Sequence, residues 1–249
     1  MAINLSVNIN KVATLRNARG GSEPGVLEAV ETCIAAGAPG ITVHPRQDER
    51  HIRRADVYEV ASRIAAHARA GRHVEFNIEG DPRPDFVEMV TGLRPTQCTL
   101  VPVMPGEVTS QAGWKIDAPA AAIAATVARL RDAGVRVSVF VDPEEAAVRW
   151  AASVGADRVE LYTEPFARAF AAGEAAGRAS FARYERAAAV AHQLGLGLNA
   201  GHDLNLKNLT LFRTLPHLDE VSIGHALISH ALWVGLDRSV RDYLAAVAL

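Results

Sequence analysis

The sequence has no apolar run of the roughly eighteen residues a bilayer demands, and its formal net charge is only -2. Neither a membrane span nor a global field that would gather nucleic acid or anionic lipid is expected. Any anion must be held by a local cluster. The only cysteines, Cys33 and Cys98, fall in a predicted helix and a predicted strand, each without a second cysteine nearby. That argues against a disulfide framework, and a zinc site would need more ligands close by. The opening residues MAINLSVNINK lack a basic stretch followed by an apolar run and a small-residue cleavage site. They do not read as a secretion signal, and the cytoplasm is the expected compartment. No GxGxxG follows the first predicted strand, which weakens a dinucleotide-binding reading, and no HExxH pair suggests a metal. No metal and no cofactor is expected. Lysine is nearly missing, occurring only at Lys11, Lys115 and Lys207.

What is present is an alternation. Hydrophobic residues make up 49% and charged residues 22% of 249 positions, which suits one globular domain over 1–249. β-rich runs at 3–9, 40–44, 73–78, 97–101, 135–141, 157–162, 195–200 and 219–223 alternate with Ala-rich helical stretches near 24–37, 54–70, 84–93, 118–133, 143–154, 178–193 and 205–214. A final helix is predicted over 225–247. Gly37, Gly71, Gly134, Gly155 and Gly195 stand where helices should end. Eight strand–helix units in a chain of this length predict an α/β fold, a (β/α)8 TIM barrel with extra helices. Two connections exceed the usual length, 102–117 and 163–177, and both leave the C-terminal end of a strand. They read as variable surface loops or, for 102–117 in particular, as a lid over substrate.

Parallel barrel strands usually read as continuous apolar runs. Here they alternate. Leu5, Val7 and Ile9 oppose Asn4, Ser6, Asn8 and Asn10, and Val74, Phe76 and Ile78 oppose Glu75 and Asn77. Helices cover the outside, so the polar set should point inward. Burying Asn8, His44, Glu75, Glu160 and Asn199 in one interior is costly without partners or a ligand, and their convergence predicts a substrate site.

The strand ends carry the chemistry. After the first come Lys11, Arg16 and Arg19 before Gly20 and Gly21; Arg16 reads as a solvated turn residue, Arg19 as a phosphate contact. After the second come His44, Arg46 and His51, able to hold an anion while His44 moves protons. Glu75, inside a strand, reads as a desolvated acid–base group or as the partner of an inward arginine such as Arg136 or Arg158. The seventh and eighth strands both end in Gly-His, at Gly201-His202 and Gly224-His225, where this fold commonly binds phosphate at a helix N-terminus. Two phosphate-capable regions suggest two phosphorylated substrates or one bisphosphate. A Schiff-base aldolase would have to use Lys11, and a non-catalytic binding barrel would be expected to lose its acid–base groups.

The segments VNINKVATLRNARGG, GITVHPRQDERHI, VEFNIEG, EVTS, VELYTE, LNAGHDL and VSIGHALI closely resemble the pyridoxine 5'-phosphate synthase family, over essentially the whole chain. The resemblance implies ring closure in vitamin B6 biosynthesis. Such transferase-type enzymes condense 1-deoxy-D-xylulose 5-phosphate with 3-amino-2-oxopropyl phosphate, releasing inorganic phosphate and water. By position it implies His44 and Glu75 as proton acceptors, His202 as proton donor and Glu160 as transition-state stabiliser. Asn8, Arg19, Gly224 and His225 would hold the aminoketone phosphate; Arg46, His51 and Thr109, with Asn10 and Lys11, would hold the sugar phosphate. The chain departs from the family's best-known pattern at Asn10-Lys11, where Asp-His is usual, and at substrate-side Asp203, where Gly is usual. The resemblance also implies a homo-octamer in the cytoplasm, with neither nucleic acid nor membrane as partner.

Overall fold

The computed structural model describes residues 3–102 and 112–248. Strands β1 (Asn4–Asn8), β2 (Gly40–Val43), β3 (Glu75–Gly80), β4 (Gln97–Leu100), β5 (Arg136–Val141), β6 (Arg158–Tyr162), β7 (Gly197–Gly201) and β8 (Leu218–Ile223) are all parallel. They close in chain order, with Leu5 of β1 opposite Val221 of β8. This is the (β/α)8 barrel that the alternation predicts.

The outer faces are apolar, with Leu5, Val7, Ile41, Val43, Val139 and Val159 fully buried under the helices. The inner faces are largely polar, and many of their groups pair with one another. Ser6 and Thr42 share a hydroxyl hydrogen bond of 2.6 Å, Asn77 donates to Thr42, and Thr99 donates to Asn77 at 3.1 Å. Paired in this way, the buried groups avoid the several kcal/mol that isolated burial would cost.

The covering helices are α1 (Asn10–Asn17), α2 (Val26–Ala35), α3 (Arg54–Arg69), α4 (Pro84–Leu93), α5 (Ala120–Asp132), α6 (Glu145–Ser153), α7 (Glu164–Ala172), α8 (Glu174–Gln193), the short α9 (Leu209–Phe212), α10 (His225–Val234) and α11 (Leu236–Val247). The five glycines expected at helix ends all take positive φ, from +72° to +104°. Three segments differ from the sequence reading. The stretch 163–177 is helical rather than a loop: Pro165 sits in the first turn of α7, where its missing N–H costs nothing. Phe166 then packs with ring centroids 5.0–6.0 Å from Phe170, Phe181, Tyr184 and Phe212. The single closing helix is two, because Gly235 at φ +85° turns the chain between α10 and α11.

The basic turn after β1 is the helix α1, and Arg16 is buried rather than solvated. Its guanidinium forms a fork on Asp56 at 2.6 and 2.8 Å, tying the end of α1 to the start of α3.

Candidate active site

At the C-terminal end of the barrel lies a small polar cavity, open to solvent. Seven of the residues singled out in the sequence as site residues line it from β1, β6 and the segments that follow β1 and β2: Asn8, Asn10, Lys11, His44, Arg46, His51 and Glu160. His202, after β7, and Gly224 and His225, after β8, also line it.

Each group is placed by its own backbone. His44 follows β2, and its N–H donates to the Asn10 side-chain oxygen at 2.9 Å, while Asn10 N–H donates to the Asn8 side chain. Asn10, at the start of α1, therefore buttresses the histidine. His202 follows β7 in the left-handed region at φ +90°, a strained position for a histidine that packing must hold. The packing is aromatic: Phe140 and Tyr162 approach its ring at 4.8 and 5.8 Å. Glu160 lies across Gly201, where an added Cβ would meet Glu160 Oε1 at 2.2 Å. A side chain at 201 would displace the carboxylate.

Glu75 is not at this site. It opens β3 at the opposite end of the barrel, its side chain 26% exposed and paired with Arg136. The inward alternation of β3 continues past Asn77 to Glu79, and that carboxylate lines the cavity. Four residues of strand separate the two glutamates, about 13 Å along the barrel. Glu79 accepts from Asn8 Nδ2 at 3.3 Å, and its Oε2 lies 3.9 Å from His44 Nδ1. Asn199 is inward but deep, bonded to Arg158, Gln97 and Glu220, and it belongs to the barrel floor. Arg19 and Asp203 are exposed and do not line the cavity. Thr109 and most of the suggested lid 102–117 lie outside the described residues. After that segment, Gly113 N–H donates to Asp142 and Trp114 Nε1 to the Leu100 carbonyl, both at 3.0 Å.

Compared with known sequences, residues 5–248 match the family model described as pyridoxal phosphate biosynthesis protein PdxJ. The chain belongs to the PdxJ family. A protein of Bacteroides thetaiotaomicron named pyridoxine 5'-phosphate synthase is 52% identical over 240 residues, covering 96% of this chain and 97% of that protein. The protein of that name from Porphyromonas gingivalis is 49% identical over 246 residues, covering 98% and 99%. Among solved structures, a 3-keto-L-gulonate-6-phosphate decarboxylase from Vibrio cholerae superimposes with a TM-score of 0.62 at 11% identity, covering 100% of both chains. A thiamine phosphate pyrophosphorylase from Pyrococcus furiosus gives 0.60 at 11% identity, covering 98% of this chain and 95% of the other. These two likenesses concern the fold alone.

In this PdxJ-family chain, burial sets the charge states of the cavity. It raises Glu79 to about 8, with the neighbouring Glu220 carboxylate adding to the effect, and it holds Glu160 well above the usual carboxylate range. Burial lowers His202 to about 4 and, helped by His51 and Arg46, drives His44 well below its ordinary value. His51 also falls to about 4, through burial and then the charges of Arg46 and Lys11. Burial thus favours the protonated form of these carboxyls and the neutral form of these imidazoles. His44 Nε2 and His202 Nδ1 are both buried without a hydrogen-bond partner. Proton donors and proton acceptors therefore face one space, the arrangement general acid–base catalysis requires.

Proposed function

We propose that the chain is a pyridoxine 5'-phosphate synthase, condensing 1-deoxy-D-xylulose 5-phosphate with 3-amino-2-oxopropyl phosphate to give pyridoxine 5'-phosphate, inorganic phosphate and water. The single observation that carries this reading is one cavity lined by two anion-binding groups and a proton-transfer set, Glu79, His44, Glu160 and His202. Lys11, Arg46 and His51 supply cationic and imidazole donors. Gly224 and His225 open α10, where free backbone N–H groups and the helix dipole favour a phosphate. The names of the close relatives support the same activity.

The chemistry joins an amine of one substrate to carbonyl carbon of the other and closes a ring, so it needs no lysine Schiff base on the protein. Each loss of water needs a proton delivered to a departing hydroxyl, and each new double bond needs a proton removed. Glu79 and Glu160, whose burial favours the protonated form, suit delivery; His44 and His202, whose burial favours the neutral form, suit removal. Glu79 and His44 lie close enough to exchange a proton through a small shift or one water. Binding two phosphates would stabilise imidazolium, so the histidines become stronger bases once substrate arrives.

Incubating the protein with both substrates and detecting pyridoxine 5'-phosphate by mass, alongside released phosphate, tests the proposal; absence of product overturns it. Arg46 offers a planar fork that lysine cannot reproduce. Arg46→Lys is expected to raise KM for the sugar phosphate about tenfold or more while barely changing KM for the aminoketone, since a charge-assisted bond is worth roughly 1.5–3 kcal/mol. Equal rises would remove Arg46 from the sugar side.

The reading extends to 1–249 as one catalytic domain in the cytoplasm and to self-association. Among the described residues no helix is long and apolar enough to cross a membrane. Trp233 is 85% exposed and Leu232 69%, beside the exposed Leu15 and Val234, on a face formed by α1 and α10. Contiguous exposed apolar residues of this size mark an interface, and a homo-octamer is the assembly the family resemblance implies. Trp233→Glu is expected to yield smaller species in sedimentation velocity; an unchanged distribution would place the interface elsewhere.

A further inference from the structure

The inner face of β8 carries a hydroxyl that no group among the described residues satisfies. Ser222 Oγ is buried and makes no hydrogen bond, yet Ser222 lines the cavity. Its neighbours in register are Ser6 on β1 and Gly201 on β7. Ser6 already shares its hydroxyl with Thr42, and Gly201 has no side chain to offer. Buried polar groups are nearly always paired, so one that stays unpaired on the wall of a cavity points to a partner that comes from solution. Ser138, also buried and unpaired, does not line the cavity and lacks this implication.

The position of Ser222 selects the substrate it meets. It stands on the strand that runs into Gly224 and His225, where α10 begins. Two residues of strand, about 7 Å, separate it from the turn at the mouth. A phosphate seated at the start of α10 would leave the carbon chain it carries reaching inward, toward the hydroxyl. Resting on the function proposed above, we propose that Ser222 is a substrate-binding residue that donates a hydrogen bond to the ketone oxygen of the three-carbon aminoketone phosphate. The bond fixes the orientation of that ketone relative to Glu79 and Glu160, the groups that deliver protons.

The test uses S222A and S222C with dihydroxyacetone phosphate, which carries a hydroxyl in place of the amine, as a non-reacting probe in isothermal titration. Both variants are expected to bind the probe roughly three- to tenfold more weakly, the usual net worth of one hydrogen bond. In turnover, KM for the aminoketone phosphate should rise by a similar factor, with KM for the sugar phosphate unchanged. Melting temperature should stay level or rise, because the alanine removes an unpaired group and breaks no bond within the protein. Cysteine keeps the volume and donates poorly, so a purely space-filling role predicts that S222C behaves as wild type. That result, equal probe affinity in all three proteins, equal shifts in both KM values, or no binding of the probe to wild type would overturn the assignment. If wild type makes no pyridoxine 5'-phosphate while the titration still separates it from S222A, the function fails and the serine contact stands.

Discussion

Glu79→Gln is expected to lower kcat by about a hundred- to ten-thousand-fold, the usual cost of losing one general acid–base group. The same substitution should raise the melting temperature at pH 8. Burial and Glu220 hold the Glu79 carboxyl near 8 in the folded chain, against an ordinary value of 4.5. A raised carboxyl favours the fold while both states are protonated, and that contribution is lost as pH rises from the unfolded value through the folded one. Stability should therefore decline between about pH 4.5 and pH 8 in wild type, and glutamine should flatten that decline. The alkaline limb of kcat/KM belongs to the same group, since a proton donor with this pKa empties as pH passes 8. Glu75→Gln predicts opposite signs. It breaks the partly exposed pair with Arg136, so it should cost on the order of 1 kcal/mol of stability and leave kcat within about twofold of wild type. Steady-state rates and melting curves of the two variants measure all of this. A Glu79→Gln enzyme near the normal rate, or a Glu75→Gln enzyme that has lost its turnover without melting early, would return the proton-carrying role to position 75.

The two glutamates show where the sequence was legible and where it stopped. Period-2 alternation in β3 correctly sets Glu75, Asn77 and Glu79 on one face, because side chains in a strand must alternate. It says nothing about depth. Depth depends on where the strand ends, and ends are set by hydrogen-bond pairing with neighbours: Glu79 and Gly80 pair in register with Thr99 and Leu100 of β4. A strand read as stopping at 78 makes Glu75 the last inward acid, whereas one read through Gly80 places Glu79 at the C-terminal mouth, where this fold does its chemistry. The residues that follow strands β1, β2, β7 and β8 were easier, since a Gly-His turn or a His-Pro-Arg turn marks its own strand end. The helix α7 was missed for a related reason. Its apolar residues, Phe166 and Phe170, are few, and the burial that stabilises it comes from Phe181, Tyr184 and Phe212, which the chain reaches only later.

The departures from the usual family pattern also acquire physical content. Asn10 accepts the backbone N–H of His44, which an aspartate would also do, so its exchange keeps the buttress and removes a negative charge from the cavity wall. Lys11 lines the cavity with a cation in place of an imidazole. Both exchanges make that wall more positive, in keeping with a phosphate ligand. Asp203 does not line the cavity, but its carboxyl is raised by burial and Glu164 and feels the charge of His225, which does line it.

Arg16→Met should destabilise the protein by about 3–5 kcal/mol, because it leaves the Asp56 carboxylate buried without its counter-charge. In sequence this arginine looks like one more member of a solvated basic turn. In the fold it is 5% exposed, its two terminal nitrogens reach both oxygens of Asp56, and one of them also donates to the His51 carbonyl at 3.3 Å. Asn17 donates to the same carbonyl at 2.8 Å, and Asp56 accepts the Arg53 N–H at 2.7 Å at the start of α3. One ion pair therefore joins α1, the loop that presents Arg46 and His51, and the first turn of α3. At roughly 2–4 °C per kcal/mol for a chain of this size, the loss should appear as a fall of about 6–20 °C in melting temperature. Because the loop that carries His51 is released with it, KM for the sugar phosphate should rise at temperatures where the variant is still folded, with KM for the aminoketone little changed. Replacing both partners, as in Arg16→Met with Asp56→Leu, removes the stranded charge and should recover much of the stability but not the KM. Chemical denaturation of the single and double variants gives the comparison directly. A loss below about 1 kcal/mol in Arg16→Met would mean the pair is as weak as an exposed one, and the buried clamp between α1 and α3 would have to be abandoned.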